Sequence, residues 1–173
     1  IINVVFVISI IFKFYNDSKN YKIMKKAIYI FVALLIIIQS IPANLPEVSS
    51  KNPNDLIANN SDIPKDVKMI LKNSCYDCHS NETHYPWYSY VVPVSFLVSR
   101  DIIAGREELN FSNWEDYKKT EKAEILDEIS EYVSDGKMPM KIYTLIHRDA
   151  VLSDDEKEII VVWAEEFAES LFE

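Results

Sequence analysis

The sequence predicts an all-α protein, because glycine is scarce, apolar residues are plentiful, and these recur at helical spacing. The chain has 173 residues; 49% are hydrophobic, and only Gly105 and Gly136 are glycine. Hairpin-rich β folds need glycine at positive-φ turn positions, so two glycines favour helices. Each glycine stands where a helical pattern stops, and glycine commonly caps the carboxyl end of a helix.

Four stretches beyond residue 62 have apolar residues at helical spacing. They are residues 64–75, 94–104, 112–136 and 153–171. Pro64 suits the first helical turn, and Ser112 and Ser153 each open a capping-box spacing. The third stretch is interrupted near Thr120, and Gly105 is expected to end the second. The second should turn a set of aliphatic residues inward: Val94, Leu97, Val98 and Ile102.

The N-terminal part of the chain has the pattern of an export signal. Lys25 and Lys26 precede an uncharged apolar run, Ala27 to Ile41, as in the n- and h-regions of a secretory signal. As a helix this run is ~22 Å long, short of the ~30 Å hydrocarbon core. We favour a short uncleaved anchor over a cleaved signal, because the following residues make a poor cleavage site.

The expected organisation follows from these patterns. Residues 1–23 are an extra apolar segment or a spurious extension upstream of a start at Met24, and residues 24–43 form the signal or anchor helix. Residues 44–62, rich in proline, asparagine and serine, read as a linker, and 63–173 form the domain. The lysines before the apolar run favour the cytoplasm. The domain is then expected on the periplasmic face of the inner membrane, or free in the periplasm if the signal is cleaved.

Charge limits the partners of this domain. Residues 44–173 contain 13 Lys and Arg against 26 Asp and Glu, a formal charge of −13. Nucleic-acid affinity depends on cations that neutralise phosphates, so nucleic acid is not expected as a partner. An acidic surface could steer a basic protein partner or simply aid solubility.

The strongest motif is Cys75-Tyr76-Asp77-Cys78-His79, the C-x-x-C-H signal for attachment of c-type haem. Cysteines three apart on a helical turn share a face, so both thiols can bond one haem, and His79 can then bind its iron. No other cysteine occurs in the chain. A zinc site would need two more ligands from His84 and His147, and a thioredoxin-like pair would need a βαβ pattern that is absent.

The second axial ligand of the iron is less constrained. Met138 follows the glycine that ends the third helical stretch and is our first choice, with Met140 and His147 as alternatives. A methionine is more often a filler of the apolar core than a ligand.

Other side chains are weaker candidates for the haem pocket. Trp87 and Tyr88 could line it or pack in the core. Arg100 and Arg106 could pair with the haem propionates or lie on a solvated helix face.

With these residues in view, the chain resembles a bacterial family called the haem-binding domain, mono-haem proteins usually found behind an N-terminal membrane segment. The resemblance covers about residues 67–163. It rests on the haem motif with Ser80-Asn81, Tyr85-Pro86-Trp87-Tyr88, Pro93-Val94-Ser95, Gly105-Arg106, Leu109-Asn110-Phe111-Ser112, Met138-Pro139, Tyr143, His147 and Leu152-Ser153. The order of elements is also similar to class I cytochromes c.

The resemblance implies a cytochrome c-like helical domain around one covalently bound haem c, with Met138 at the distal position. Our functional expectation is a one-electron carrier, with redox proteins as partners, rather than an enzyme. The alternatives are a haem enzyme or gas or peroxide sensor with an open or labile sixth ligand, and a structural haem module without turnover.

Overall fold

The computed structural model describes residues 18–42 and 44–173. Every regular element in these residues is a helix, as the sequence predicts. The chain divides into two compact units, one up to residue 43 and one spanning Asn44–Glu173.

The first unit contains helix α1, Ser18–Ile38. Within residues 18–42 and 44–173, no helix combines the length and apolar character needed to cross a membrane. The expected N-terminal membrane helix is therefore not found there. Only the part of the apolar run from Ala27 to Ile38 is helical, and lysines occupy the preceding turns. The proposed extra segment upstream lies mostly outside the described residues.

The second unit is built from seven α-helices and three 3₁₀ turns within the described residues. The helices are α2 (Leu56–Asn59), α3 (Lys65–Ser74), α4 (Tyr76–His79), α5 (Val94–Glu108), α6 (Lys119–Ser134), α7 (Lys141–Thr144) and α8 (Asp154–Ser170). The 3₁₀ turns are Trp87–Tyr90, Phe111–Asp116 and Arg148–Ala150.

Two of the predicted helices are confirmed together with their starting signals. Pro64 precedes α3. At the start of α8, Ser153 Oγ accepts from the Glu156 backbone N–H, and the Glu156 carboxylate accepts from the Ser153 N–H at 2.8 Å. Both bonds of the predicted capping box are therefore formed.

The predicted start of the third helix at Ser112 is wrong. The Asn110 side chain accepts from the Ser112 N–H at 3.0 Å, and the residues that follow form a 3₁₀ turn. Helix α6 begins after Lys118, whose N–H donates to Glu121 at 2.7 Å. The spacing of Ser112 and Glu115 resembles a capping box, in which the glutamate would accept from the Ser112 N–H. The Asn110 side chain accepts from that N–H instead.

The predicted linker belongs to the folded unit. Leu56 is fully buried, and Asp55 caps α2 by accepting from the N–H groups of Ile57 and Ala58 at 3.0 and 3.1 Å. The Tyr76 hydroxyl donates to the same Asp55 oxygen. The compact unit therefore begins at Asn44 and not at residue 63.

The core of this unit lies between α6 and α8 and extends beneath the haem motif. Leu126 of α6 and Ile160 of α8 meet in it, with Leu71 of α3 and the fully buried Trp114. Trp114 stacks on Phe167 with ring centroids 6.0 Å apart. This packing fixes α3, and hence the residues at its carboxyl end.

Candidate functional site

The haem motif forms one helical turn at the junction of α3 and α4. Cys75 caps the carboxyl end of α3, and its carbonyl accepts from the N–H groups of Cys78 and His79 at 3.2 and 3.0 Å. Both thiols and the His79 ring border the same cavity. The structure therefore brings the three motif side chains together, as the spacing predicts.

This cavity has a volume of about 380 Å³, within the roughly 300–1,000 Å³ of small-molecule sites. We call it the larger cavity, because a neighbouring, smaller cavity has a volume of about 270 Å³. Most of its wall is apolar. The apolar lining residues include Leu71, Leu109, Phe111, Ile125, Ile129, Val133, Leu152 and Ile160. Met138 and Met140 also line it, so the cavity contains a histidine, two thiols and two thioethers.

His79 has the hydrogen bonding of a metal ligand. Its Nδ1 lies 2.8 Å from the Gly105 carbonyl oxygen and 3.2 Å from that of Leu109. Carbonyl oxygens only accept, so Nδ1 carries the proton and Nε2 keeps its lone pair. Burial lowers the pKa of His79, which favours the neutral ring. Histidines that bind metals are oriented in this way by a backbone carbonyl.

Gly105 permits the close approach of α5 to the motif. A Cβ at this position would lie 2.9 Å from the Cys78 carbonyl oxygen and 3.3 Å from its carbonyl carbon. The helix continues to Glu108, so the expectation that Gly105 ends it is wrong. Glycine is required here for packing, because any side chain would push α5 away from Cys78.

The thiols lack the character of a redox-active pair. Burial, and to a smaller extent the charge of Cys78, raises the pKa of Cys75 to about 12. Burial, and to a smaller extent the charge of Asp77, raises the pKa of Cys78 to about 11. Reactive C-x-x-C pairs have lowered pKa values instead. Among residues 18–42 and 44–173, no group of three or more His, Cys, Asp or Glu side chains is placed to hold a metal ion.

The candidates for the distal ligand occupy different places. Gly136 has a φ of 64° and ends α6, as predicted. Beyond it, the Met138 N–H donates to the Tyr132 carbonyl at 3.1 Å. Met138 lines the larger cavity only, whereas Met140 also lines a smaller one. His147 lines only the smaller cavity, and its Nε2 forms a hydrogen bond with the Tyr88 hydroxyl.

Three weaker candidates do not line the larger cavity. Trp87 is 78% exposed and lines neither cavity. Tyr88 borders the smaller one. Arg100 is exposed and pairs with Asp101 at 2.6 Å.

Arg106 has a structural role in the segment after the motif. It donates to the Ser80 carbonyl at 2.8 Å, to Thr83 Oγ1 at 2.9 Å and to the Glu47 carbonyl at 2.9 Å. Its guanidinium is therefore engaged with the protein and does not line the larger cavity.

Sequence reasoning missed three carboxylates at the larger cavity. Asp101, Glu108 and Glu128 line it, and no Lys or Arg is among its lining residues. The two α5 carboxylates act electrostatically on the motif, Asp101 on Cys78 and Glu108 on His79. Acidic residues on amphipathic helices are usually solvated, so nothing in their spacing marks these three.

A comparison with protein families supplies the family. The model of the haem-binding domain matches residues 33–166. The chain belongs to the haem-binding domain family. This confirms the family that the motifs indicate and makes the chain a haem-binding protein. Comparison with curated proteins and with solved structures found no match.

The residues at the site of this haem-binding domain fit a haem. The oriented His79 can bind iron through Nε2, Cys75 and Cys78 can bond the edge of the macrocycle, and Met138 can supply a thioether. The apolar wall suits the porphyrin face. No Lys or Arg lines this cavity, so the lining itself offers no basic partner to the haem propionates.

Proposed function

We propose that this haem-binding domain carries one haem c, bonded through Cys75 and Cys78, and serves as a one-electron carrier. The observation that supports this most is His79, whose Nδ1–H is held by the Gly105 and Leu109 carbonyls beside both thiols. A bound haem supplies a centre that accepts and returns a single electron. The protein holds the imidazole in one orientation and excludes water with an apolar wall.

The proposed axial ligands are His79 and Met138. A thioether favours the reduced iron and raises the reduction potential relative to a second histidine. With both axial positions filled, a substrate has no open coordination site, which favours electron transfer over catalysis. The position of Met138 in the wall of the larger cavity supports the assignment.

The ligand assignment is tested by Met138→Ala, Met140→Ala and His147→Ala, examined for spin state, midpoint potential and CO binding. We expect Met138→Ala alone to become high-spin, to bind CO and to lose the charge-transfer absorption expected for methionine-bound ferric haem. The exposed Met69 provides the control, Met69→Ala. A low-spin Met138→Ala protein beside a high-spin His147→Ala protein would make the site bis-histidine.

A haem enzyme or gas sensor is the second candidate. Met140 borders both cavities, so a small molecule in the smaller cavity would lie next to a residue only two positions from the proposed ligand Met138. This function predicts that the unmodified ferrous protein binds CO at once. Rapid electron exchange without CO binding in stopped-flow mixing supports the carrier instead.

We further propose a basic redox partner. The carboxylates of Asp101, Glu108 and Glu128 at the larger cavity, and the charge of −13 on residues 44–173, support this choice. Electron exchange with a basic donor should slow as salt rises, because charges are screened over about 10 Å at 0.1 M. Glu108→Gln with Glu128→Gln should weaken the salt dependence, whereas Glu173→Gln, far along the chain, should not.

The proposed location is outside the cytoplasm. The apolar run that follows Lys25 and Lys26 supports export. In an oxidising compartment Cys75 and Cys78 would form a disulfide, unless haem attachment consumed both thiols. Cell fractionation and mapping of the mature N-terminus test this. A cytoplasmic holoprotein would contradict it, and the distribution between membrane pellet and soluble fraction shows whether the segment stays attached.

A further inference from the structure

The segment of residues 138–147, called the Met138 segment, reaches back to the haem motif through a tyrosine side chain. Tyr143 lies in α7, and its hydroxyl donates to Asp77 Oδ2 at 2.8 Å. Asp77 stands between Cys75 and Cys78, in the turn that places both thiols at the larger cavity. This hydrogen bond therefore joins the turn that would be bonded to haem to the segment that carries the proposed distal ligand.

The acceptor, Asp77, is held in place without the tyrosine. Its second carboxylate oxygen, Oδ1, accepts from the His84 N–H at 2.9 Å, and its carbonyl accepts from Thr83 Oγ1 at 2.7 Å. The Asp77 carboxylate is therefore a fixed point to which Tyr143 binds. A hydrogen bond to an ionised carboxylate is also stronger than one between neutral groups.

The Tyr143 ring is aligned by a second aromatic side chain. It stacks on His147, with ring centroids 4.1 Å apart and planes 12° from parallel. His147 Nε2 is in turn hydrogen-bonded with the Tyr88 hydroxyl. Since Tyr88 lies in the 3₁₀ turn Trp87–Tyr90, the stacked pair connects the Met138 segment to a second point, beyond the motif.

Apolar packing contributes little to holding the Met138 segment. Within the described part of the chain, no residue of α7 is buried. The aliphatic side chains in and after this helix are more than half exposed: Ile142, Leu145 and Ile146. The backbone N–H groups of Tyr143 and His147 donate to carbonyls inside the segment. The position of the segment relative to the motif therefore depends on its polar side chains.

We propose that Tyr143 is a positioning residue, whose hydrogen bond to Asp77 holds the Met138 segment against the haem motif and keeps the Met138 thioether at the distal position. The inference rests on the proposed function, in which Met138 binds the iron. Without this hydrogen bond the thioether should leave the iron more often, because little apolar packing retains the segment. A thioether favours the reduced iron, so its weaker attachment should also lower the reduction potential.

Stopped-flow CO binding to the ferrous holoprotein tests this, together with the midpoint potential. Tyr143→Phe should bind CO about tenfold faster than the parent, the worth of a hydrogen bond to a charged group, and its potential should fall. Asp77→Ala should accelerate CO binding as well. The double variant Tyr143→Phe/Asp77→Ala should be no faster than the faster single variant, because both changes remove one interaction. Two effects that multiply in the double variant would overturn the action through Asp77.

Tyr85→Phe is the matched control. The Tyr85 hydroxyl donates to the Pro46 carbonyl at 2.7 Å, so this variant also loses a tyrosine hydrogen bond, but one that does not involve the Met138 segment. Its CO binding and midpoint potential should equal those of the parent. An equal acceleration in Tyr85→Phe, or no acceleration in Tyr143→Phe, would overturn the proposal.

Trypsin cleavage after Lys141, an exposed residue of α7, reports on the same hydrogen bond without involving the iron. Cleavage of a transiently open segment follows the population of its open form. Tyr143→Phe should therefore be cut there about tenfold faster, relative to cleavage after Lys118 in the same sample. If Met138→Ala leaves the spin state unchanged, the proposed function fails. Parent-like cleavage and CO binding in Tyr143→Phe, beside a high-spin Met138→Ala protein, would overturn this inference alone.

Discussion

The substitution Gly105→Ala tests how closely α5 must approach the haem motif. The new Cβ would lie 2.9 Å from the Cys78 carbonyl oxygen and 3.4 Å from Cys78 Cβ. The nearest atom belongs to the backbone, so no side-chain rotation relieves the clash. Helix α5 must move away, and the Gly105 carbonyl that accepts from His79 Nδ1 at 2.8 Å moves with it.

Two opposing effects set the magnitude. Overpacking of this kind typically costs ~1–3 kcal/mol, whereas alanine in place of glycine inside a helix gains ~1 kcal/mol. A backbone clash belongs in the upper part of the first range. We therefore expect a net loss of about 1–2 kcal/mol in the free energy of unfolding, together with a changed haem absorption spectrum as His79 shifts.

The measurement is urea unfolding of the holoprotein, paired with its visible spectrum. Gly136→Ala is the control, because its new Cβ meets no atom within 4 Å and the cost arises from the φ of 64° alone. That control should lose about 1 kcal/mol through backbone strain. A Gly105→Ala protein about 1 kcal/mol more stable than the parent, with an unchanged spectrum, would show that helix propensity outweighs the contact.

Three further perturbations test the fold by urea unfolding. Leu126→Ala, in the fully buried contact of α6 with α8, should lose ~2–5 kcal/mol; a loss below that of an exposed Leu145→Ala would contradict the core assignment. Ser153→Ala should lose ~1 kcal/mol with the α8 cap, and an unchanged stability would count against it. Lowering the pH from 7 to 5 should reduce stability, because burial lowers the pKa of His79 and the unfolded chain then takes up a proton that the native state does not; a flat profile would refute this.

The features that sequence alone predicts are those fixed by local chemistry. The turn that places Cys75 and Cys78 together depends on spacing, and the Ser153 cap depends on two side chains three residues apart. Gly136 at the end of α6 is of the same kind. Each is determined by neighbours within one helical turn.

The features that sequence misses depend on tertiary contacts. The buried face of α5 includes Ser95 and Ser99, and Ser99 Oγ donates to the Asn44 carbonyl at 2.7 Å. A hydrophobic pattern cannot show that a serine is buried by a hydrogen bond to a segment 55 residues away. For the same reason the polar stretch before Leu56 reads as a linker although it packs.

The requirement for Gly105 is a further contact of this type. Its partner is the Cys78 backbone, on a different helix. Sequence shows a glycine near the end of a helical pattern, and a helix cap is the ordinary interpretation. Only the distance between α5 and the motif shows that the glycine serves packing.

Covalent attachment is the central claim of the proposed function, and the mass of the denatured holoprotein tests it most directly. We predict a chain heavier by the mass of one haem, retained through acid–acetone extraction and located on the peptide that contains Cys75 and Cys78. The double variant Cys75→Ala/Cys78→Ala should release its haem on denaturation. An unmodified chain mass, with all haem extracted and both thiols open to alkylation, would contradict the account.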